Sequence, residues 1–326
     1  MVSLINGYQI SQAISVVARL RVADHMTNGP RSAEELAVAT NSHPDGLYRV
    51  LRALASVGVF SEEDGRTFTL TPMGTCLQTD SPTPVSGWAM HSGSDYVWQA
   101  WGNLLHSART GENAFEGLNS KSIWDYRLDH PEQASIFNRA MTEMSRGSAE
   151  AVIKAYDFSG FRHVVDVGGG QGLMLAAILA QHSGMRGTLF DRPEVVEGAK
   201  TVLQSFGVVD RCDFIGGSFF EKVPEGGDAY VMRAVIHDWE DAQAVAILNV
   251  CRRAMPGIAK LLLIEMLVGS PNTMPRAKFM DLNMLVLPGG RERTSEEYAA
   301  LLEKSGFKLT RVVPTGRRAV IEARPM

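Results

Sequence analysis

The chain has 326 residues, of which 45% are hydrophobic and 21% charged; this composition is typical of globular enzymes and excludes wholesale disorder, and the length predicts two domains. The net charge of −4 gives the chain as a whole no electrostatic reason to bind nucleic acid. Three scattered cysteines without a C-x-x-C pair, no basic and apolar leader, and no apolar run near the ~20 residues of a membrane helix predict a cytoplasmic protein outside the membrane.

The first 70 residues are predicted to form three helices and a hairpin. Residues 8–26 carry apolar side chains at helical spacing, and Ser32 and Glu35 form a capping-box start. Residues 43–60 form a further helix with one apolar face, and a turn centred on Gly65 joins two short strands. The pattern predicts a winged-helix-like domain. The apolar face comprises Leu47, Val50, Leu51, Leu54 and Val57.

A winged helix can bind DNA, so the charge of this region decides between its possible roles. Residues 1–70 hold six arginines and no lysine against seven acidic residues. A winged helix that binds DNA carries a clearly basic face. Dimer formation or the covering of a substrate is therefore favoured over DNA binding.

Residues 81–145 are rich in tryptophan, phenylalanine and methionine. These side chains form either ordinary core or the wall of an apolar pocket for an aromatic ligand, because methionine packs well against ring edges.

The character of the sequence changes near residue 150. This change predicts a mainly helical domain over 1–150 and a second domain over 151–326.

The second domain alternates strands and helices. Strand-like runs include "HVVDVG", "GTLFD", "CDFIG", "AYVMRAVI" and "KLLLIEML", separated by helical stretches such as "EVVEGAKTVLQSF", and two more strands end the chain. This alternation predicts an α/β fold with a doubly wound, Rossmann-like parallel sheet that is covered by helices on both faces.

The glycine-rich turn "VVDVGGGQG" follows the first of these strands. Gly168 and Gly170 match the first two glycines of the dinucleotide fingerprint, but Leu173 replaces the third, and no Lys-Ser/Thr pair of a phosphate-binding loop follows. Asp166 lies just before the turn, and Asp191 ends the next strand, where an acid suits a ribose. The pattern favours a nucleoside without a pyrophosphate, such as S-adenosylmethionine. The alternative is a tight turn with a surface acid and no ligand.

Further motifs match one enzyme family. The stretches "LFDRPEVVEGA", "FNRAM", "TGENAFE", "HDWED" and "GGRERTSEEY" resemble those of S-adenosylmethionine-dependent O-methyltransferases of the caffeate type and their bacterial small-molecule relatives, over nearly the whole chain. The resemblance implies a homodimer with an N-terminal winged-helix-like dimerisation domain. It also implies methylation of a hydroxyl on a small aromatic molecule, phenolic or polyketide-like, in secondary metabolism, with no nucleic acid and no membrane as partner.

The resemblance implies roles for individual residues. His237 of "VIHDWED" takes the position of the catalytic base, and Glu265 and Glu292 take the acidic positions that flank it. Ser218 stands where the family usually has an acid against the adenine, so this position can hydrogen-bond but carries no charge. The expected cofactor-binding residues are Asp166, Gly168, Gly170, Asp191, Ser218, Phe219 and Arg233, and the expected substrate-binding residues are Phe137, Met141, Met144 and Asn283.

Methyl transfer to a phenol explains the need for a histidine. A phenol has a pKa of about 10, so few molecules are ionised near neutrality, and a histidine can remove the proton. We expect Glu265 to accept from the second ring nitrogen and so fix the tautomer, and Glu292 to hold the other side of the ring or the substrate. No metal is expected, because "HDWED" lacks ligand spacing.

Three alternatives remain open. In the first, His237 is only a polar residue at a strand-to-helix junction, with Asp238 capping the next helix. In the second, the same fold methylates nitrogen or carbon, for which a base matters less. In the third, the chain is a non-catalytic winged-helix regulator that senses a nucleoside or an aromatic ligand.

Overall fold

A computed structural model describes residues 1–326. One compact unit consists of Met1–Gln99 and Arg127–Met144, and the other of Ala100–Tyr126 and Ser145–Met326. The chain crosses between the units three times, whereas the predicted division has a single boundary. The roles predicted for the two halves stay predictions. None of the helices combines the length and the apolar composition that a membrane crossing requires.

The N-terminal part of the chain forms short helices and a three-stranded antiparallel sheet. The hydroxyl of Ser32 accepts from the backbone N–H of Glu35 at 3.2 Å, and the Glu35 carboxylate accepts from the N–H of Ser32 at 2.8 Å, so the expected capping box is present. Three leucines of the predicted apolar face are buried, whereas Val57 is 41% exposed because the helix ends at Ala55. The elements are α1 (Val2–Ile5), α2 (Gly7–Arg19), β1 (Arg31–Ser32), α3 (Ala33–Ala39), α4 (Pro44–Ala55), β2 (Phe60–Glu63), β3 (Thr67–Leu70), α5 (Ser86–Ser92) and α6 (Asp95–Gly102).

Four more helices and a large α/β region complete the chain. Six strands of its seven-stranded sheet run in one direction, and the last strand of the chain runs antiparallel to both of its neighbours, which confirms the α/β prediction. The connecting helices are α7 (Leu104–Thr110), α8 (Ala114–Asn119), α9 (Ile123–Asp129) and α10 (Pro131–Ala155). The α/β region comprises β4 (His163–Val167), α11 (Leu173–Gln181), β5 (Arg186–Asp191), α12 (Pro193–Val196), α13 (Lys200–Ser205), β6 (Cys212–Gly216), β7 (Ala229–Arg233), α14 (Asp241–Ala254), β8 (Lys260–Glu265), α15 (Pro275–Val286), α16 (Ser295–Lys304), β9 (Phe307–Pro314) and β10 (Ala319–Pro325).

The large sheet has the strand order β6-β5-β4-β7-β8-β10-β9 and is buried on both faces. Successive side chains of a strand point to opposite faces. Val165 and Tyr230 accordingly pack with α14 and α16 on one face, whereas Val164 and Val231 pack with α10 and α11 on the other. Burial on both faces explains why these strands are continuous apolar runs in the sequence.

The helix expected over 194–206 is interrupted and forms as α12 and α13. Gly198 lies in the gap, where a Cβ would come within 2.9 Å of the side-chain oxygen of Gln171. The amide nitrogen of Gln171 donates to the carbonyl oxygen of Val195 at 3.2 Å. The break therefore makes room for a side chain of the glycine-rich turn.

Candidate active site

Strands β7 and β8 end side by side at the carboxyl edge of the sheet, and a buried histidine follows β7. Ala234 has a left-handed backbone with a φ of 53°, and it turns the chain out of the strand towards a 3₁₀ turn over Ile236–Asp238. His237 lies in this turn and is 6% exposed. Glu240, and not Asp238, is the N-cap residue of α14. A strained residue of this kind persists only where surrounding contacts hold it.

Two carboxylates face the same ring nitrogen of His237. Glu292 Oε1 lies 2.8 Å from Nδ1, which is a hydrogen bond, whereas Glu265 Oε2 lies 3.7 Å from Nδ1. The ring is therefore oriented by Glu292, and the expectation that Glu265 makes this hydrogen bond is wrong. Because Nδ1–H donates to Glu292, Nε2 is the nitrogen that can accept a proton, and Asp238 Oδ1 lies 3.5 Å from it.

Glu265 instead holds the backbone that leads to the histidine. Its Oε1 accepts from the N–H groups of Val235 and Ile236 at 3.1 and 3.0 Å, and its Oε2 accepts from Arg318 Nη1 at 3.5 Å. The carboxylate is fully buried, and a buried charge needs such partners. Glu265, the acid within the apolar run "KLLLIEML", thus accepts hydrogen bonds from three donors.

The segment that follows α15 packs against the histidine turn. A Cβ on Gly290 would overlap the carbonyl oxygen of His237, and the N–H of Arg291 donates to that oxygen at 2.8 Å. Asp281 on α15 accepts from the N–H of Glu292 at 2.9 Å. In this segment only Glu292 is predicted from the sequence as a site residue. The paired glycines of "GGRERT" also indicate a close approach of two backbones, because glycine has no side chain to prevent it.

The charges around His237 favour its protonated form. Burial alone would lower the pKa of the ring, but the negative charges of Glu292, Glu265 and Asp238 outweigh this effect and raise the pKa to about 9. The ring is therefore an imidazolium in the free protein at neutral pH. This pKa is close to that of a phenol, about 10, so a proton shared between the two groups is nearly balanced.

His237, Glu265 and Glu292 also have an arrangement found in metal sites, because one ligand atom from each lies within 4.8 Å of the others. The carboxylate of Glu265 already accepts from three protein donors. The imidazolium and the guanidinium of Arg318 supply the positive charges that the two buried carboxylates need. The cluster is therefore balanced by groups of the protein itself.

The glycine-rich turn after β4 allows a ligand to approach the backbone closely. Gly168 and Gly170 have left-handed backbones, with φ values of 70° and 59°. A Cβ on Gly168 would lie 2.7 Å from Val235 and 3.6 Å from the ring of Phe219. The turn therefore lies next to a predicted adenine contact and to the segment that leads to His237.

Two carboxylates lie beneath this turn. Neither oxygen of Asp166 makes a well-formed hydrogen bond, although the residue is 1% exposed, and the backbone N–H of Leu175 and the charge of Arg233 only partly favour its charged form. Burial, and then the charge of Asp191, raises the pKa of Asp166 to about 7. Asp191 accepts from the N–H groups of Gly170 at 2.8 Å and Arg192 at 2.7 Å. A buried acid without a well-formed hydrogen bond, beside a second acid, fits the ammonium and sulfonium groups of S-adenosylmethionine.

Ser218 and Arg233 are the remaining predicted cofactor residues. The hydroxyl of Ser218 accepts from the backbone N–H of Phe220 at 3.3 Å. A neutral hydroxyl thus occupies the position at which the resemblance predicts an acid against the adenine. Arg233 Nε donates to Ser148 at 3.0 Å. Burial lowers the pKa of Arg233 to about 9, against the opposing charges of Glu265 and Asp166. The charge of Arg233 thus interacts both with Asp166 and with Glu265 of the histidine cluster.

Aromatic rings contact one another from Phe219, a predicted cofactor residue, to Trp239 and Trp124. The ring centroid of Trp239 lies 5.9 Å from that of Phe219, edge-on, and 6.1 Å from that of Trp124, stacked. The side-chain oxygen of Asn283 accepts from Trp101 Nε1 at 3.1 Å. Because an indole nitrogen only donates, this contact directs the NH₂ group of Asn283 away from Trp101.

Phe137, Met141 and Met144 lie on α10, in the other compact unit. Their spacing places them on one face of the helix, and all three are half-buried. The guanidinium of Arg127 lies 3.4 Å from the ring centroid of Phe137, and the ring of His91 lies 5.4 Å from it. Contact of these side chains with a substrate stays a prediction.

Known proteins resemble the chain over its whole length. The family model for the O-methyltransferase domain matches residues 101–308, and that for the O-methyltransferase dimerisation domain matches residues 2–80. The phenazine O-methyltransferase PhzM of Lysobacter antibioticus is 41% identical over 327 residues, which cover 100% of this chain and 96% of that protein.

Solved structures resemble it as well. The crystal structure of LaPhzM has a TM-score of 0.97 and 40% identity, and the match covers 100% of this chain and 98% of that chain. The O-methyltransferase NcsB1 from neocarzinostatin biosynthesis, solved with S-adenosylmethionine and 2-hydroxy-5-methyl naphthoic acid, has a TM-score of 0.83 and 33% identity, covering 97% and 96% of the two chains. The chain therefore belongs to the O-methyltransferase family and takes its methyl group from S-adenosylmethionine.

Proposed function

We propose that the protein methylates a hydroxyl oxygen of a small aromatic acceptor, with His237 as the general base. The observation that carries this proposal is the buried contact of 2.8 Å between His237 Nδ1 and Glu292. It leaves Nε2 for the proton of the acceptor, at the edge of the sheet where doubly wound folds bind their ligands. Glu292 stabilises the imidazolium that forms, because an opposite charge favours the protonated ring.

S-adenosylmethionine supplies a methyl group that is already activated by the positive charge on its sulfur. Gly168 would admit its close approach, and Asp191 would accept from its ribose hydroxyls. Asp166 would face its positive charges, and Phe219 would pack against its adenine. The contribution of these residues is binding and orientation, which can supply a large part of a rate enhancement.

Three residues hold His237 in position to accept a proton. Glu265 holds the backbone that precedes the histidine, Gly290 lets the segment after α15 pack against the histidine turn, and Glu292 orients the ring. The pKa of His237, about 9, lies close to that of a phenol, so moving the proton from the phenol to the ring costs little free energy. The acceptor oxygen becomes a better nucleophile as Nε2 takes this proton.

Incubation with labelled S-adenosylmethionine and a panel of small phenols and aromatic amines tests the proposal. We expect labelled methyl ethers, identified by a product mass one methylene higher than that of the acceptor. A chelator should leave the rate unchanged, because three donors of the protein already engage the carboxylate of Glu265. Failure to label any phenol, together with labelling of aromatic amines in the same panel, would overturn the proposal.

Methylation of nitrogen is the second candidate, and one relative favours it. The 8-amino-8-demethylriboflavin N,N-dimethyltransferase of Streptomyces davaonensis is 35% identical to this chain over 321 residues. An amine is already a good nucleophile, so it depends little on His237. Acceptor pairs that differ only in a hydroxyl or an amino group separate the two reactions. A non-catalytic regulator is not retained as a candidate, since relatives over the whole length are named as enzymes.

We expect kcat/KM to rise with pH, about tenfold per unit from neutrality, and to level off near pH 9. The base must be neutral to accept a proton, and the raised pKa of His237, about 9, keeps the ring protonated below that value. The groups that face the ring, Glu292, Glu265 and Asp238, are acids whose charge favours the protonated form. A rate profile between pH 6 and pH 10 measures this dependence.

The Glu292→Gln variant tests which acid sets this profile. It keeps the shape of the side chain and removes the charge nearest to the ring, so the rise in rate should move to lower pH by about one unit or more. Glu296→Gln is the matched control, because Glu296 is exposed in the first turn of α16. An unmoved profile in Glu292→Gln would contradict the role given to Glu292.

Replacing Asp191 with Ala should weaken cofactor binding about 100-fold, since each hydrogen bond to a charged group is worth about 1.5–3 kcal/mol. Its carboxylate holds the N–H of Gly170 at 2.8 Å and is the expected acceptor for the ribose. Titration calorimetry with S-adenosylhomocysteine measures the loss. Asp213→Asn, on an exposed acid of β6 that lies 3.6 Å from Arg186, is the control. Unchanged affinity in Asp191→Ala would rule out the ribose contact.

We also propose that the chain forms a homodimer through its N-terminal domain. The dimerisation-domain match supports this assembly, as do exposed apolar side chains at the start of the chain, where Leu4 is 80% and Ile5 65% exposed. Pairing of two copies would remove such a surface from water. Light scattering should give twice the chain mass, and the double variant Leu4→Glu, Ile5→Glu should lower it. A cytoplasmic location stays a prediction.

A further inference from the structure

Arg293 is an almost completely buried arginine, 1% exposed, in the segment after α15. Its Nη1 donates to the carbonyl oxygen of Ile236 at 3.2 Å, and its Nη2 donates to that of Trp239 at 2.9 Å. Nε and Nη2 also donate to Asp241 Oδ1, at 3.1 and 2.8 Å. The side chain therefore joins the histidine turn to the first turn of α14.

The two carbonyl groups lie on either side of His237 in the sequence. Before the histidine, Glu265 accepts from the N–H groups of Val235 and Ile236. A carboxylate thus fixes N–H groups of this stretch, and the guanidinium of Arg293 fixes its C=O groups. The stretch cannot rotate without breaking charge-assisted hydrogen bonds, which are stronger than neutral ones.

A guanidinium suits this place and an ammonium does not. Its donors form a planar fork, so one side chain reaches two separate carbonyl groups and a carboxylate. The side chain of Asp241 is 54% exposed, and an ion pair open to water adds little stability. The ion pair alone therefore does not account for the burial of Arg293, whereas the carbonyl contacts do.

We propose that Arg293 is a positioning residue for methyl transfer, which holds the backbone of the His237 turn so that the ring meets the acceptor hydroxyl. This inference rests on the proposed function of His237. Arg293 directly follows Glu292, which orients the ring. One short segment therefore controls both the imidazole and the backbone that carries it.

The Arg293→Lys variant tests this role, because it keeps the charge and loses the fork. We expect kcat to fall about 100-fold, as a displacement of about 1 Å near the reacting atoms can do. KM for the acceptor and the Kd of S-adenosylhomocysteine should stay within about threefold of the wild-type values. A kcat within about threefold of wild type would overturn the proposal. A folded variant that loses kcat and S-adenosylhomocysteine binding in parallel would overturn it too.

Glu240→Gln is the matched control. It removes the neighbouring exposed ion pair, in which Arg291 lies 3.1 Å from Glu240, and should leave kcat, KM and Kd unchanged. If the melting curve shows that Arg293→Lys does not fold, Asp241→Ala decides, because Asp241 accepts the two hydrogen bonds that orient the guanidinium towards the two carbonyl groups. A kcat about tenfold lower at unchanged KM supports the proposal, and an unchanged kcat overturns it.

His237→Ala separates this inference from the function on which it rests. If His237→Ala still methylates phenols at the wild-type rate, the base assignment fails and the inference fails with it. If His237→Ala is inactive while Arg293→Lys keeps its kcat, only the inference fails.

Discussion

Replacing His237 with Ala is expected to lower kcat for O-methylation by about 100-fold or more, the contribution of a well-placed general base. The substitution removes the nitrogen that takes the proton and leaves the buried carboxylate of Glu292 without its hydrogen-bonded positive partner. Cofactor affinity should change little, because the expected contacts lie around the glycine-rich turn. Initial rates with labelled S-adenosylmethionine and a saturating phenol measure the effect.

The control for this experiment is a histidine outside the cluster. His182 is the C-cap residue of α11, so His182→Ala should keep the wild-type rate. Wild-type rates in His237→Ala would show that the acceptor needs no base. The acceptor atom would then be a nitrogen or an oxygen that is already ionised.

Adding one methyl group to Gly290 is expected to disturb both stability and rate. A Cβ there would overlap the carbonyl oxygen of His237 and the backbone of Asp238 and Trp239. These are main-chain atoms, so the histidine turn itself must move. Overpacking of this kind costs about 1–3 kcal/mol, and the moved histidine should lower kcat about 100-fold. Melting curves and initial rates of Gly290→Ala measure the two effects.

Gly257 provides the matched comparison. A Cβ at Gly257 would meet nothing within 4 Å, so Gly257→Ala should change the unfolding free energy by less than about 0.5 kcal/mol. If Gly290→Ala keeps both its stability and its kcat, the segment after α15 does not constrain the histidine turn.

The central strands of the large sheet could be predicted because they are short apolar runs. Strand β8 shows this well, since its apolar run ends at Glu265. The end of β7 could not be predicted in the same way. The run "AYVMRAVI" has the composition of one strand, yet the chain leaves the sheet after Arg233. Ala234 makes the turn with a positive φ, and alanine gives no sequence signal for that conformation.

The histidine cluster could be predicted from its motifs, but the roles of its two acids could not. Glu265 and Glu292 both lie near the ring, and only the geometry shows that the backbone N–H groups engage Glu265. The burial of Arg293 could not be predicted, for a related reason. An arginine among charged residues usually lies on the surface, and its burial depends on carbonyl groups that are distant in the sequence.

The order of the strands separates the residues proposed to bind the cofactor from those proposed to take the proton. Asp166 and Asp191 belong to β4 and β5, on one side of the point where the strand order reverses. His237 follows β7 and Glu265 ends β8, on the other side. A substitution beside β7 and β8 therefore need not alter the residues beneath the glycine-rich turn, and a substitution beneath that turn need not alter the histidine turn.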